Sequence, residues 1–380
     1  MPYFDHAATT PMRPEVITEM TAIMEEVYGN PSSIHRFGRS AHETLEKARQ
    51  NIAQQLQVKA NEIIFTSGGT EGDNMAVIGT ALARQNEGKH LVTTNVEHPA
   101  VLNSMKYLET QGFEVTYLPV NEVGQITPQQ VKEALREDTI LVSIMYANNE
   151  TGVLFPIKAI GEILANHSAI FHTDAVQVYG KIPLNPKEAN IDLLSISAHK
   201  ISGPKGVGFL FQKEGVKLSK ILFGGAQEEK RRAGTENLAG IVGMASAIDF
   251  LTEEMQQVNW EVYQQFRTYL FERLNHEGII FEVNGDYENQ LPHILNLRLF
   301  GVASNLLLMH LDLQDIAIST GSACSAGDVE PSHVLEAMHG KGHQSLKESI
   351  RVSFGYRNTQ EEVALLVDNL IAAVKRLKKD

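Results

Sequence analysis

Cysteine is nearly absent from this sequence of 380 residues, with Cys324 the single example. An internal disulfide and a four-cysteine metal site are therefore excluded, and the reducing cytosol is the expected setting. Long apolar runs are also lacking, since no segment approaches the about 18 uninterrupted apolar residues that a membrane-crossing helix needs. The start, Met1-Pro2-Tyr3-Phe4-Asp5-His6, has neither a basic cluster nor an apolar stretch, so no signal peptide is expected. Positive charge is scarce: 33 Lys and Arg stand against 46 Asp and Glu, a formal net charge of −13. That balance argues against direct nucleic-acid or membrane partners, because both need clustered Lys and Arg. Fixed-period repeats and low-complexity tracts are missing, which disfavours solenoids.

What is present, 43% apolar and 21% charged residues, predicts a soluble globular protein. At about 100–200 residues per domain, the length allows two domains. Short β-branched or aromatic runs at 62–66, 90–94, 114–118, 139–144, 169–173, 193–196 and 208–211 read as buried strands. Helical patterns at 40–56, 71–85, 99–111, 128–136 and 157–166 fall between them. Such alternation predicts an α/β fold with a mostly parallel central sheet and helices on both faces. The alternation fades after Gly208. A long helical pattern over 238–274, short strands near 279–283 and 294–299 and a final helix near 360–379 predict a smaller α+β domain. The expected division is a large domain at 14–255 and a small one built from 1–13 and 256–380.

In a parallel sheet, ligands collect beyond the carboxyl ends of the strands, so the polar residues there are the candidates. Ser67-Gly68-Gly69-Thr70-Glu71 lies between a strand and a helix. Its glycines permit close approach, and a helix start favours an anion such as phosphate, although a turn capped by Thr70 fits equally well. Ser197-Ala198-His199-Lys200 ends another strand before a Gly/Pro loop. A partly desolvated Lys200 is suited to forming an imine with an aldehyde, while Ser197 and His199 are able to donate to a phosphate. Asp174, after a third strand, suits either a structural ion pair or a pyridinium nitrogen, and Gln177 is able to donate to a ring oxygen. His98 suits ring stacking and proton transfer or merely the helix start before Pro99. Asn149 suits a ring hydroxyl, a carboxylate or a turn. Taken together, Asp174 and Lys200 describe what a pyridoxal phosphate enzyme requires. Cys324 lies among small residues, Gly321-Ser322-Ala323-Cys324-Ser325-Ala326-Gly327, and reads as a nucleophile on an accessible, mobile loop. His333, His339 and His343 are interrupted by Gly340 and Gly342, so a solvated loop is expected there and no metal site.

With these motifs the chain resembles the cysteine desulfurases, the NifS/IscS-like group of the class V aminotransferase-fold pyridoxal phosphate enzymes. The resemblance runs from Asp5-His6-Ala7-Ala8-Thr9-Thr10 to Ile350-Arg351-Val352-Ser353 and takes in Asn148-Asn149-Glu150, Asp174-Ala175-Val176-Gln177 and Gly321-Ser322-Ala323-Cys324. It implies the type I pyridoxal phosphate-dependent transferase fold, with pyridoxal 5'-phosphate in the large domain and the Cys324 loop on the small one. It further implies that Lys200 binds the cofactor covalently, Asp174 partners its ring nitrogen and His98 is the stacking acid/base. Thr70, Ser197 and His199 match the phosphate cup, Gly69 is a further cofactor-binding residue, Asn149 and Gln177 match the ring contacts, and Arg351 the clamp on the substrate carboxylate. Asn149 is also implied at the substrate. Thr235 matches a residue that reaches the phosphate in the neighbouring subunit of a homodimer with shared sites. The implied reaction is a sulfurtransferase one: L-cysteine yields L-alanine and a persulfide on Cys324, which passes to an iron-sulfur scaffold or a tRNA thiolation enzyme. Departures are modest, with Thr320 where Ser is common and Tyr146 where His is also seen. An aminotransferase or a selenocysteine lyase would use the same cofactor, but transamination needs no thiol such as Cys324.

Overall fold

The computed structural model describes residues 2–320 and 331–378. Seven short strands make the central sheet: β1 Ile63–Thr66, β2 His90–Thr94, β3 Glu114–Leu118, β4 Thr139–Ser143, β5 Ile170–Asp174, β6 Leu193–Ser197 and β7 Gly208–Gln212. Their order across the sheet is β1-β7-β6-β5-β4-β2-β3. All run the same way except β7, which is antiparallel to both neighbours. Every residue of β2, β4, β6 and β7 is buried, as expected when helices cover both faces. The edge strand β3 is exposed at Glu114 and buried only at Leu118.

The covering helices follow from local signals. Pro128–Ala134 begins at a capping box in which Thr127 and Gln130 satisfy each other's backbone amides. The helical pattern expected to run unbroken from 238 to 274 divides into Leu238–Ile248 and Glu253–His276, with Thr252 capping the second helix through Met255. The first of these is apolar on all sides and buried almost throughout, packed with Pro14–Glu26 and Arg36–Gln55. The second buries one face, through Tyr263, Phe266, Arg267, Leu270 and Leu274. Helix Pro14–Glu26 carries no strong cap and was not among the expected elements.

A second sheet, antiparallel in the order β10-β9-β8, contains β8 Phe281–Val283, β9 Ile294–Leu299 and β10 Ser349–Ser353. Its apolar residues other than Ile294, with Phe4, Leu270, Leu307, Leu370 and Phe354, form a hydrophobic cluster separate from that of the large sheet. The chain start bridges to both regions: Tyr3 pairs with Ala317 and Asp5 with Ser353, while Thr10 bonds the His199 carbonyl. Leu291, Ile294, Val334, Leu335 and Met338 belong to the C-terminal span yet pack into the larger cluster. Among the described residues, no helix is long and apolar enough to cross a membrane.

Gly208 shows how the fold constrains the strand ends. It pairs with Thr66 on one side and Ser197 on the other. A Cβ there would collide with the Ile196 carbonyl oxygen and come within 2.9 Å of Gly68 Cα. Gly208→Ala is therefore expected to cost about 1–3 kcal/mol, the usual penalty of overpacking. Its denaturant midpoint should fall; a midpoint equal to that of the unsubstituted protein would show that the β6 backbone at Ile196 and the Gly68 turn both give way freely.

Candidate active site

The carboxyl ends of the parallel strands enclose a cavity of about 260 Å³. Strand β1 enters it through Gly68-Gly69, where helix Gly69–Arg84 begins. Gly68 has φ +147°, and a Cβ on Gly69 would stand 2.8 Å from Val176 Cγ2, so small residues let this turn close against the end of β5. Thr70 occupies the exposed first turn of the helix, whose unpaired amides suit an anion. Ser197 closes β6 and is buried. His199 Nδ1 lies 3.1 Å from Thr9 Oγ1; burial, with Lys200 and Lys205 nearby, holds its pKa down to about 4. Its imidazole is therefore neutral near pH 7.

Asp174 is the last residue of β5 and is buried, with Oδ1 accepting the Val176 N–H at 2.9 Å. Burial pushes its carboxyl up from the ordinary value, opposed by His98, the Val176 amide and Lys200. Gln177 donates Nε2–H to the Ala7 carbonyl at 3.1 Å. His98 caps helix Pro99–Thr110, its Nδ1 accepting the Ala100 N–H at 3.2 Å. Burial lowers the His98 pKa, and Lys200 and His333 act in the same direction against the pull of Asp174.

Lys200 ends the 3-10 turn Ala198–Lys200 that directly follows β6. Its Nζ donates to the carbonyls of Ala7 and Ala8, the latter at 2.8 Å. From the opposite side, β10 presents the buried Arg351, which donates to Asp5 Oδ1 at 2.8 Å and to the Asn149 carbonyl at 3.0 Å. Arg351 Nε and Asn149 Oδ1 are buried without a hydrogen-bond partner.

The fold thus brings Gly69, Thr70, His98, Asn149, Asp174, Gln177, Ser197, His199, Lys200 and Arg351 to one cavity. Thr235 is not among them; it is exposed, on the loop where Arg232 pairs with Glu71 at 2.7 Å. Cys324 lies outside the described residues. Asp73 lines the cavity and was missed from sequence, although it stands one helical turn beyond Gly69 on the same helix face. Glu97, beside His98, was passed over too. It is fully buried, accepts the Met145 N–H at 3.0 Å and the Thr94 O–H at 2.8 Å, and burial pushes its pKa up to about 8. Glu150 accepts the Ser332 O–H, and burial raises it to about 7. The histidine-bearing stretch expected as a solvated loop instead begins with helix His333–His339. His333 is drawn inward, its Nε2 2.9 Å from the Glu97 carbonyl oxygen, because that buried carbonyl needs a donor.

Comparison with known proteins agrees with this geometry in fold and extent. The class-V aminotransferase family matches residues 2–366. IscS 1 of Bacillus subtilis (strain 168) is 52% identical over 375 residues, covering 99% of both chains. The cysteine desulfurase IscS of Dictyoglomus turgidum is 46% identical over 376 residues, covering 99% of this chain and 95% of that protein. Among solved structures, a NifS-like protein superposes with a TM-score of 0.92 at 35% identity, covering 99% of each chain. SspA in complex with cysteine superposes with a TM-score of 0.82 at 35% identity, covering 93% of this chain and 99% of that one. An α/β fold with a mostly parallel sheet, matched end to end at these identities, leaves one assignment: the chain belongs to the class-V aminotransferase family, in its NifS/IscS-like cysteine desulfurase group.

Proposed function

We propose that this cavity carries out the cysteine desulfuration for which the group is named, with pyridoxal 5'-phosphate as cofactor. The observation that carries the reading is the meeting of Lys200, Asp174 and Arg351 in one cavity, from three separate parts of the chain. The residues present fit such a cofactor. Gly68-Gly69, the start of helix Gly69–Arg84, Thr70, Ser197 and His199 form a donor-rich cradle for a phosphate. The unpartnered Asn149 Oδ1 and the Gln177 amide are acceptor and donor for the ring substituents.

Pyridoxal phosphate supplies an aldehyde that binds amines and a ring that withdraws electrons from bonds at the substrate α-carbon. Lys200 would hold the aldehyde at rest and accept the substrate α-proton on Nζ. Asp174, kept anionic, would hold a proton at the ring nitrogen. His98, neutral near pH 7, is fit to accept and return a proton. Arg351 would clamp the substrate carboxylate, its Nε having no partner and its remaining nitrogens now occupied by Asp5 and the Asn149 carbonyl. Cys324 thiolate would then attack the substrate sulfur: the substrate C–S bond breaks, an S–S bond forms on Cys324, the β-carbon takes up a proton, and Lys200 returns a proton to the α-carbon to give L-alanine. The persulfide passes by thiol exchange to an acceptor, an iron-sulfur scaffold or a tRNA thiolation enzyme. Residues 14–255 would act as the cofactor-binding domain, with 1–13 and 256–380 as the smaller domain that brings Arg351 and Cys324.

A homodimer with shared sites belongs to the same reading. Beside the cavity mouth lies an apolar groove lined by His98, Pro99, Tyr107, Ile221 and Phe223. Phe223 is 83% exposed and Tyr107 48%, a grouping that supports a protein interface. An exposed Thr235 is suited to reach across it.

Lys200→Ala should abolish both cysteine-dependent alanine formation and the visible absorbance of bound cofactor; an unchanged spectrum would assign the cofactor to another lysine. Cys324→Ser should keep that absorbance and lose sulfide release, and retained turnover would remove Cys324 from the reaction. Arg351→Lys should lower kcat/KM for cysteine about 10- to 150-fold, the effect of about 1.5–3 kcal/mol for a charge-assisted hydrogen bond. Cofactor affinity should stay the same in that variant. Loss of cofactor binding with an unchanged KM would place Arg351 at the cofactor instead.

A further inference from the structure

Behind Asp174 lies a carboxyl group that the proposed reaction leaves unused. Asp73 is 1% exposed, and one of its oxygens, one of Asp174 and a ring nitrogen of His98 all lie within 4.8 Å of one another. Asp73 Oδ1 has no hydrogen-bond partner. It stands 3.6 Å from Nε2 of His172, which is on β5 two residues before Asp174. His172 does not act as a counter-cation. It is fully buried, its Nδ1 lies 2.8 Å from Ser143 Oγ and its Nε2 3.0 Å from Ser195 Oγ, and burial lowers its pKa to about 3. The titratable groups around Asp73 are thus Asp174 and the neutral His172 from β5, and Glu97 and His98 from the segment after β2, while Lys200 acts on Asp174 from the turn after β6.

Two carboxylates so close together, both removed from water, do not both ionise. Burial pushes both upward, and Asp73 well above the usual range. Asp174 has the Val176 N–H and the fields of His98 and Lys200 to favour its charged form, whereas Asp73 has only the Ser195 hydroxyl to set against burial and the carboxyl groups of Asp174 and Glu97. The balance of these influences favours the proton on Asp73.

We propose that Asp73 is a neutral carboxylic acid and a positioning residue: its O–H donates to Asp174 and holds that carboxylate charged and aimed into the cavity. A carboxylic acid kept neutral in a dry site is an effective hydrogen-bond donor. The inference rests on the reading of Asp174 as partner of the cofactor ring.

The test compares Asp73→Asn, which keeps a donor and cannot ionise, with Asp73→Ala, which has none. Three measurements on the cofactor-loaded proteins decide it: the dissociation constant for pyridoxal phosphate, the pH midpoint of the visible absorbance and the infrared difference spectrum. Asn should leave dissociation constant and midpoint unchanged, while Ala should weaken binding about tenfold, equivalent to about 1.4 kcal/mol, and displace the midpoint. The spectrum of unsubstituted protein minus Asp73→Asn should contain a protonated-carboxyl stretch at pH 7. Should Asp73→Ala fail to fold, Asp73→Leu, of similar shape and without a donor, takes its place. Asn behaving like Ala, neither variant having an effect, or a carboxylate band in place of the protonated one would each overturn this inference alone. Failure of the unsubstituted protein to bind pyridoxal phosphate would overturn the cofactor reading and this inference with it.

Discussion

Six strands running in one direction bring their carboxyl ends to one edge of a single sheet, and the site depends on that constraint. The buried strands are mainly apolar, with single polar residues such as His172 and Ser195 paired inside the sheet, and they open to a ligand only where they stop. Asp174, Ser197 and Lys200 stand at or just past such stopping points. The antiparallel β7 preserves the arrangement, because β1 on its far side again runs with the others and delivers the Gly68-Gly69 turn. Helix starts accumulate at the same edge and contribute unpaired amides.

Exclusion of water from that edge governs its electrostatics. Asp73, Glu97, Glu150 and Asp174 are all buried, and burial is the largest influence on each, raising all four. The imidazoles of His98, His172 and His199 are displaced in the opposite sense by the same cause. The result is a cavity rich in groups that hydrogen-bond but poor in net charge, with Lys200 and Arg351 as the cations that line it. A ligand with its own charges meets fixed dipoles there, the condition under which electrostatic catalysis is strongest.

Much of the fold was legible because strand and helix periods differ and the apolar runs are short. The unrecognised elements had weak local signals. Pro14–Glu26 lacks a strong cap, and β10 mixes Ser and Arg with Ile and Val because its arginine is turned to use in the site. The break between Ile248 and Glu253 is marked locally only by the Thr252 cap and the acidic Glu253-Glu254 first turn, a short signal set within continuous helical propensity.

The sequence by itself determined which side chains occupy the strand ends, since those positions follow from local periodicity and from Gly-rich turns. It also carried the motifs by which the family is recognised. Tertiary structure alone decided that Arg351, from the second sheet, meets Asp5 and the Asn149 turn, and that Asp73 lies against Asp174 rather than in solvent. It likewise left Thr235 outside the cavity. Chain spacing holds no record of such contacts: they depend on how two sheets and a helix pack, and charge and protonation follow from the burial that packing creates.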